Sequence, residues 1–370
     1  MRFLRHFLRI IVGLVFIFSG FVKGVDPLGT AYKIEDYFIA YGMQWAEPAS
    51  LTLSVLLCAF EFSLGVLLIL NVKPKLIAWL TLLIMIYFTG LTLYDAIYNP
   101  VPDCGCFGDA VKLTNWQTFY KNIVLILFVL IIFWQRKKYQ PPYSEGVSLF
   151  LLLLVPLSFI WFSAWNYRNL PLIDFTAWKA GNTMVPDKLV PPQYWLVYEN
   201  KTTKEQKEYL AKDLPWQDTA WMAQWVFVKQ RVDDPNKYPA PNFRILDTVS
   251  NDLTMSYLRQ PGYLLLMVCV DAAKPGSHEM KNMNELYETL STAGYTVLGL
   301  TATSFEDLSA VSKRDSLSIN WYQSDDTELK TMVRSNPGLV LLKDARVVKK
   351  WHYRNLPSAE SFMAAYPMTK

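Results

Sequence analysis

The sequence is poor in histidine, cysteine and charge. Its three histidines, His6, His278 and His352, lie far apart. They share no metal-ligand spacing with one another or with the cysteines, which argues against a structural zinc site. Four cysteines in 370 residues do not make a disulfide scaffold. Charged residues are 18% and the formal net charge is +4, small for so long a chain, so a nucleic-acid partner has no support. Hydrophobic residues, by contrast, reach 52% and crowd into the first 165 positions. The length suits two or three domains, and the uneven composition points to a membrane half followed by a soluble half.

Five apolar runs are each near the ~20 residues that cross a bilayer. The first, about Phe7 to Val22, follows Arg2, Arg5 and Arg9. No small-residue cleavage pattern succeeds it, so it reads as a retained helix and not a signal peptide. Ala49–Leu70, interrupted by Glu61, is the second; Leu76–Tyr94, Phe119–Trp134 and Val147–Trp165 follow. Between the first two, Phe38, Tyr41 and Trp45 recur at near-helical spacing, as in a helix lying at the headgroup level. Basic residues at the N-terminus, at Lys73/Lys75 and at Arg136–Lys138 occupy alternate connections. One topology puts all three in the cytoplasm, although Lys112 and Lys121 weigh slightly against it. Everything after Trp165, and the loop Asp95–Gln117, then lies outside. In a bacterial inner membrane that is the periplasm, where thiols are readily oxidised.

The soluble half begins with an irregular, proline-bearing link, Asn166 to about Pro192. Tyr194–Glu199 reads as a strand, Lys204–Leu210 as a polar and helical stretch, and Trp221–Val228 as another strand. From Ala240 the pattern sharpens. Tyr263–Val270 is a continuous apolar run of the kind buried on both sheet faces. Glu279–Ala293 is an amphipathic helix with Met280, Met283, Leu286, Tyr287 and Leu290 on one stripe, and Gly294 stops it. Tyr295–Leu300 is a strand, helices follow through Val311 and over Asp326–Val333, and Leu339–Leu342 and Val347–Trp351 form a hairpin. This is an α/β sandwich.

Two resemblances follow. Phe18-Ser19-Gly20-Phe21-Val22-Lys23 with Asp26-Pro27, then Glu61 and Gly65, then Asp103-Cys104-Gly105-Cys106-Phe107-Gly108, resemble in content and order the DoxX/MauE-like membrane proteins over about residues 5–140. That resemblance implies a four-helix membrane bundle, often linked to envelope thiol chemistry or to assembly of respiratory proteins. Ala240-Pro241-Asn242-Phe243 and Ser335-Asn336-Pro337-Gly338 resemble the opening and the cis-proline loop of envelope thioredoxin-like domains, which puts the cis-proline at Pro337. Where that family carries Cys-x-x-Cys, this sequence reads Asp271-Ala272-Ala273-Lys274-Pro275-Gly276-Ser277-His278, so dithiol exchange is excluded from this domain. The expected fold is a four-helix DoxX-like transmembrane bundle (1–140), a fifth transmembrane helix (141–166), a periplasmic linker or subdomain (167–239) and a thioredoxin-like α/β domain without its dithiol (240–370).

Chemistry concentrates at Cys104 and Cys106. Neighbours at i and i+2 can meet the Cα separation of a disulfide, and Gly105 can take the dihedrals closure demands. A strained bond is more reducible and suits transfer; the alternative is a static bridge or two free thiols bracing a turn. Asp103 and Asp109 are expected to disfavour thiolate. Glu61, roughly 18 Å along its helix at ~1.5 Å per residue, is costly in hydrocarbon. It can hold a proton, a quinone headgroup or a basic partner such as Lys23, or it is a neutral acid bonded between helices. Cys58 has no second membrane thiol and reads as packing, as does Cys269 at the end of its strand. Lys23, Asp26 and Lys33 cluster at the outer end of the first span, where they can bind a lipid headgroup or a carboxylate or, as the preferred reading, anchor the interface. His278 with Lys274 can contact an anionic group at a helix N-terminus; the ordinary reading is a solvated loop histidine. No cofactor is required by the sequence, quinone being a weak reading of Glu61. The expected partners are the bilayer and an envelope protein. Two functions compete: thiol-disulfide homeostasis or redox-linked maturation through Cys104/Cys106, and a non-catalytic scaffold of an envelope complex. A transporter has little support, with one buried carboxylate and no visible repeat.

Overall fold

In the computed structural model, residues 2–186, 190–236 and 238–368 are described. The membrane half comprises α1 (Arg2–Val25), α2 (Pro27–Ala40), α3 (Ser50–Leu70), α4 (Pro74–Tyr98), α5 (Asn115–Trp134) and α6 (Glu145–Arg168). All but α2 are long and apolar enough to cross a membrane, and the chain is an integral membrane protein.

Lipid is as apolar as leucine, so close backbone approach, rather than hydrophobic burial, must hold such helices together. Glycine supplies it between α1 and α3: a Cβ at Gly65 would stand 2.6 Å from the Gly13 carbonyl oxygen. α4 packs mainly on α5. α6 lies against α3, with Phe159 stacked on Phe62 at 4.1 Å between ring centroids. The basic residues gather at one end: Arg5 and Arg9 face the Tyr139 ring, Arg136 faces Trp79, and Lys73 pairs with Glu145. At the other end lie α2, the cysteine loop and the soluble half. α2 starts at Pro27 because Asp26 caps it, accepting from Gly29 N at 2.9 Å. α5 begins earlier than hydropathy suggests, because Thr114 and Gln117 form a reciprocal capping box.

The soluble half holds two sheets. In the first, β1 (Gln193–Asn200) lies between β2 (Gln206–Leu210) and β3 (Trp225–Asp233), all antiparallel. Lys204–Leu210 is therefore not helical. Asn200 Oδ1 accepts from Thr202 N and Thr203 N, turning the chain back onto β1 as an edge strand. Its polar residues face solvent, so no apolar alternation marks it. Trp221–Val228 is divided: Asp218 caps a short helix, α7 (Thr219–Gln224), and the strand starts only at Trp225.

The second sheet has β4 (Tyr263–Cys269) at its centre, flanked by β5 (Thr296–Thr301) and then β6 (Trp321–Gln323) on one side. On its other side lie β7 (Gly338–Lys343) and then β8 (Arg346–His352). β4, β5 and β6 are parallel; β7 and β8 run antiparallel. With α8 (Thr254–Leu258) leading into β4, α9 (Ser277–Thr292) crossing from β4 to β5 and a cis peptide at Asn336-Pro337 before β7, this is a thioredoxin-like topology. Alternate β4 residues enter two cores. Leu264, Leu266 and Val268 meet Phe243, Ile245 and Leu258, while Leu265 and Met267 meet Met280, Met283 and Leu290 of α9. Trp178 from the preceding link is fully buried against Phe243, so that link contributes to the core of the α/β sandwich.

Candidate functional site

Cys104 and Cys106 sit in the loop between α4 and α5, their sulfurs 2.9 Å apart. Gly105 has φ +63°, the left-handed region that a side chain there would strain. Asp103 Oδ1 accepts from Gly105 N at 3.1 Å, and Gly108 N donates to Gly105 O at 2.9 Å, so the turn is closed on both sides. The loop is then pinned from four directions. Lys33 of α2 pairs with Asp103 at 3.1 Å. Phe18 of α1 packs on Phe107, with Lys121 of α5 above the same ring at 4.4 Å. Ser19 Oγ lies 2.8 Å from the Cys106 carbonyl oxygen. Arg334, from the soluble half, reaches Asp109 at 2.7 Å.

Beneath the loop is the membrane carboxylate. Lys23 Nζ donates to Glu61 Oε1 at 2.5 Å, and the two residues are 5% and 1% exposed. Ser19 Oγ also lies 2.8 Å from Glu61 Oε2. One serine proton thus faces two acceptors, linking the ion pair to the backbone of Cys106. Lys23 is therefore buried in the bundle rather than anchored at the interface, and Glu61, on a neighbouring helix, offsets the burial of its charge. Asp26 and Lys33 are likewise committed to protein partners, Arg334 and Asp103.

The expected acid suppression of thiolate does not hold at Cys106. The Cys104 thiol donates to it, and Lys121 and Lys23 add positive potential, so Cys106 falls to about 6 despite burial. Cys104 moves the other way, held protonated by the bond to Cys106 and by burial. Asp103 and Asp109 each face a cation instead, Lys33 and Arg334. Alkylation of reduced Cys106 by a small iodoacetamide should therefore rise with pH through about 6 and level off near neutrality. An ordinary thiol keeps rising to about 8.5. Cys104→Ala, which removes the donor, should move the midpoint upward; mass mapping of the labelled site reads both.

Arg334 was not marked by the sequence. It lies just before Pro337, is 6% exposed, and its Nε meets both Asp26 oxygens at 2.8 and 3.0 Å. Burial alone would lower its affinity for the proton; Asp26 and Asp109 more than offset this. The contact brings the cis-proline loop of the soluble half onto the membrane loop that holds the thiols. Cys58 is buried against Ala59 and Phe159, and Cys269 is buried in the sheet core, each without a cysteine partner among the described residues. His278 is exposed, its Nε2 facing Asn282.

Comparison with known proteins adds to this geometry. Residues 1–135 match the family of the methylamine utilisation protein MauE. The MauE region takes in α1 to α5, Glu61 and both loop cysteines. Protein TlpB of Flavobacterium psychrophilum is 27% identical over 139 residues, which are 37% of this chain and 38% of TlpB. Among solved structures, the "Solution structure of a putative protein disulfide isomerase from Bacteroides thetaiotaomicron" aligns with 34% of this chain and 82% of its own. Identity there is 19% and the TM-score 0.27.

Proposed function

We propose that this MauE-like protein carries out thiol-disulfide exchange through Cys104 and Cys106 on the periplasmic face of a bacterial inner membrane. In this reading the soluble half holds a client or partner without exchanging thiols itself. The observation that carries it is the sulfur pair, 2.9 Å apart in a pinned turn, with one thiol shifted toward thiolate and the other held protonated. That asymmetry assigns roles. In the oxidised pair the better leaving group is Cys106, so an incoming client thiolate attacks Cys104. This gives a Cys104–client mixed disulfide and frees Cys106; a second client thiolate then attacks the client sulfur and Cys104 leaves, so one client disulfide forms and the loop holds two thiols.

In-cell trapping tests this. Cys106→Ser should accumulate a mixed disulfide between Cys104 and a client, whereas trapping mainly on Cys106 in Cys104→Ser protein would mean that the chain reduces clients. If neither variant traps anything and the double serine variant complements fully, the exchange reading fails. The rival is then an assembly scaffold, favoured by the missing Cys-x-x-Cys and by the buried Arg334 contact between the halves.

A further inference from the structure

A chamber of about 430 Å³ opens beside the two thiols, inside the membrane half. This is within the range of about 300–1,000 Å³ that suits a small ligand. Its body is apolar, with Phe16, Phe38, Leu57 and Leu91 among its walls. Its polar lining includes Cys104 and Cys106 with Lys121, the Lys23–Glu61 pair, and Lys33, Tyr37 and Asn122. Lys121 stands over the Phe107 ring at 4.4 Å but has no ion pair among the described residues, which leaves N–H groups for an oxygen in the chamber. The opening is equally telling. Leu53 on α3 and Tyr87 on α4, both exposed, line the same space. α3 packs mainly on α1 and α4 mainly on α5, with a lighter contact between α3 and α4. Leu53 and Tyr87 are both exposed on membrane spans, so the natural entrant is a molecule dissolved in the bilayer.

We infer that the chamber receives an isoprenoid quinone, which oxidises the Cys104/Cys106 pair. This rests on the thiol-exchange reading above. A pair that donates disulfides must be reoxidised, and reoxidation removes two electrons and two protons. A quinone accepts both: the S–S bond forms, two S–H bonds are lost, and the quinone leaves as quinol. The ring sits beside the sulfurs with one carbonyl oxygen toward Lys121, and the tail runs out between α3 and α4. A phospholipid acyl chain would fill the apolar body equally well but has no use for the thiols or the Lys121 ammonium.

The test uses the purified full chain, reduced, freed of reductant and mixed without oxygen with a short-tailed benzoquinone in detergent. Diamide, an aqueous thiol oxidant, serves in parallel. The expected result is loss of both loop thiols with one quinol formed per chain. Leu57→Trp, which fills the chamber, should lower the quinone rate relative to the diamide rate about tenfold. Leu53→Phe at the mouth gives a milder version should the first variant fail to fold. If diamide closes the pair and quinone does not, the quinone inference is overturned while thiol exchange stands. An unchanged rate ratio in both variants also overturns it, whether or not a phospholipid co-purifies. If neither oxidant closes the pair, the exchange reading fails and takes this one with it.

Discussion

Arg334→Ala should free the soluble half from the membrane bundle. The guanidinium is buried and satisfies two carboxylates, Asp26 at the joint of α1 and α2 and Asp109 in the cysteine loop. Removing it strands both acids at a contact they cannot leave without undocking. Truncating one member of a buried, hydrogen-bonded charge set costs about 2–5 kcal/mol. The carboxylates keep some solvent access, so the lower half of that range is expected. Hydrogen exchange should speed up together in residues 26–36, 103–110 and 326–337, which belong to three separate parts of the chain. Arg334→Lys should fall between, since one ammonium cannot reproduce the fork that serves both acids. Adding Asp26→Asn and Asp109→Asn to the alanine variant should restore part of the loss. Unchanged exchange in all three segments would show that something else holds the halves together.

The second large effect is expected at Lys23 and Glu61. Lys23→Met leaves a carboxylate in the membrane bundle with Ser19 alone beside it, and Glu61→Gln leaves an unpaired ammonium. Breaking a buried pair by removing one partner costs about 3–5 kcal/mol. The joint variant Lys23→Met/Glu61→Gln carries no buried charge and should regain most of that stability. Thermal unfolding of all four forms in one detergent measures the coupling. If the two single variants are as stable as the parent, the pair is not a structural element, and the joint variant should then be examined for lost thiol oxidation alone.

What the sequence disclosed follows from the range of each interaction. The spans were legible because hydrocarbon demands long apolar runs, and Glu61 stood out because a carboxylate inside one is costly. Cys104, Gly105 and Cys106 were legible as a unit because everything closing that turn lies within a few residues. Lys23 reads two ways from sequence, as an interfacial residue by its place at the end of a run and as a partner for Glu61; the structure shows the pair, 38 residues apart on two helices. Arg334 gave no signal, since its partners lie 225 and 308 residues upstream. The downward shift at Cys106 is not legible from nearby acids alone, because the Cys104 thiol that donates to it sets the sign, with Lys121 and Lys23 adding to it. In the soluble half, the buried strands β4, β5 and β7 declared themselves by composition. β2 did not, because an exposed edge strand need satisfy only its backbone.

One guanidinium serves both the docking of the soluble half and the position of the thiol loop, so these two equilibria share a free energy. Linkage then requires reciprocity. On the thiol-exchange proposal, by whatever factor docking favours the dithiol over the disulfide, reduction must favour docking by that same factor, and a client that pulled the soluble half away would shift the poise of two sulfurs it never touches.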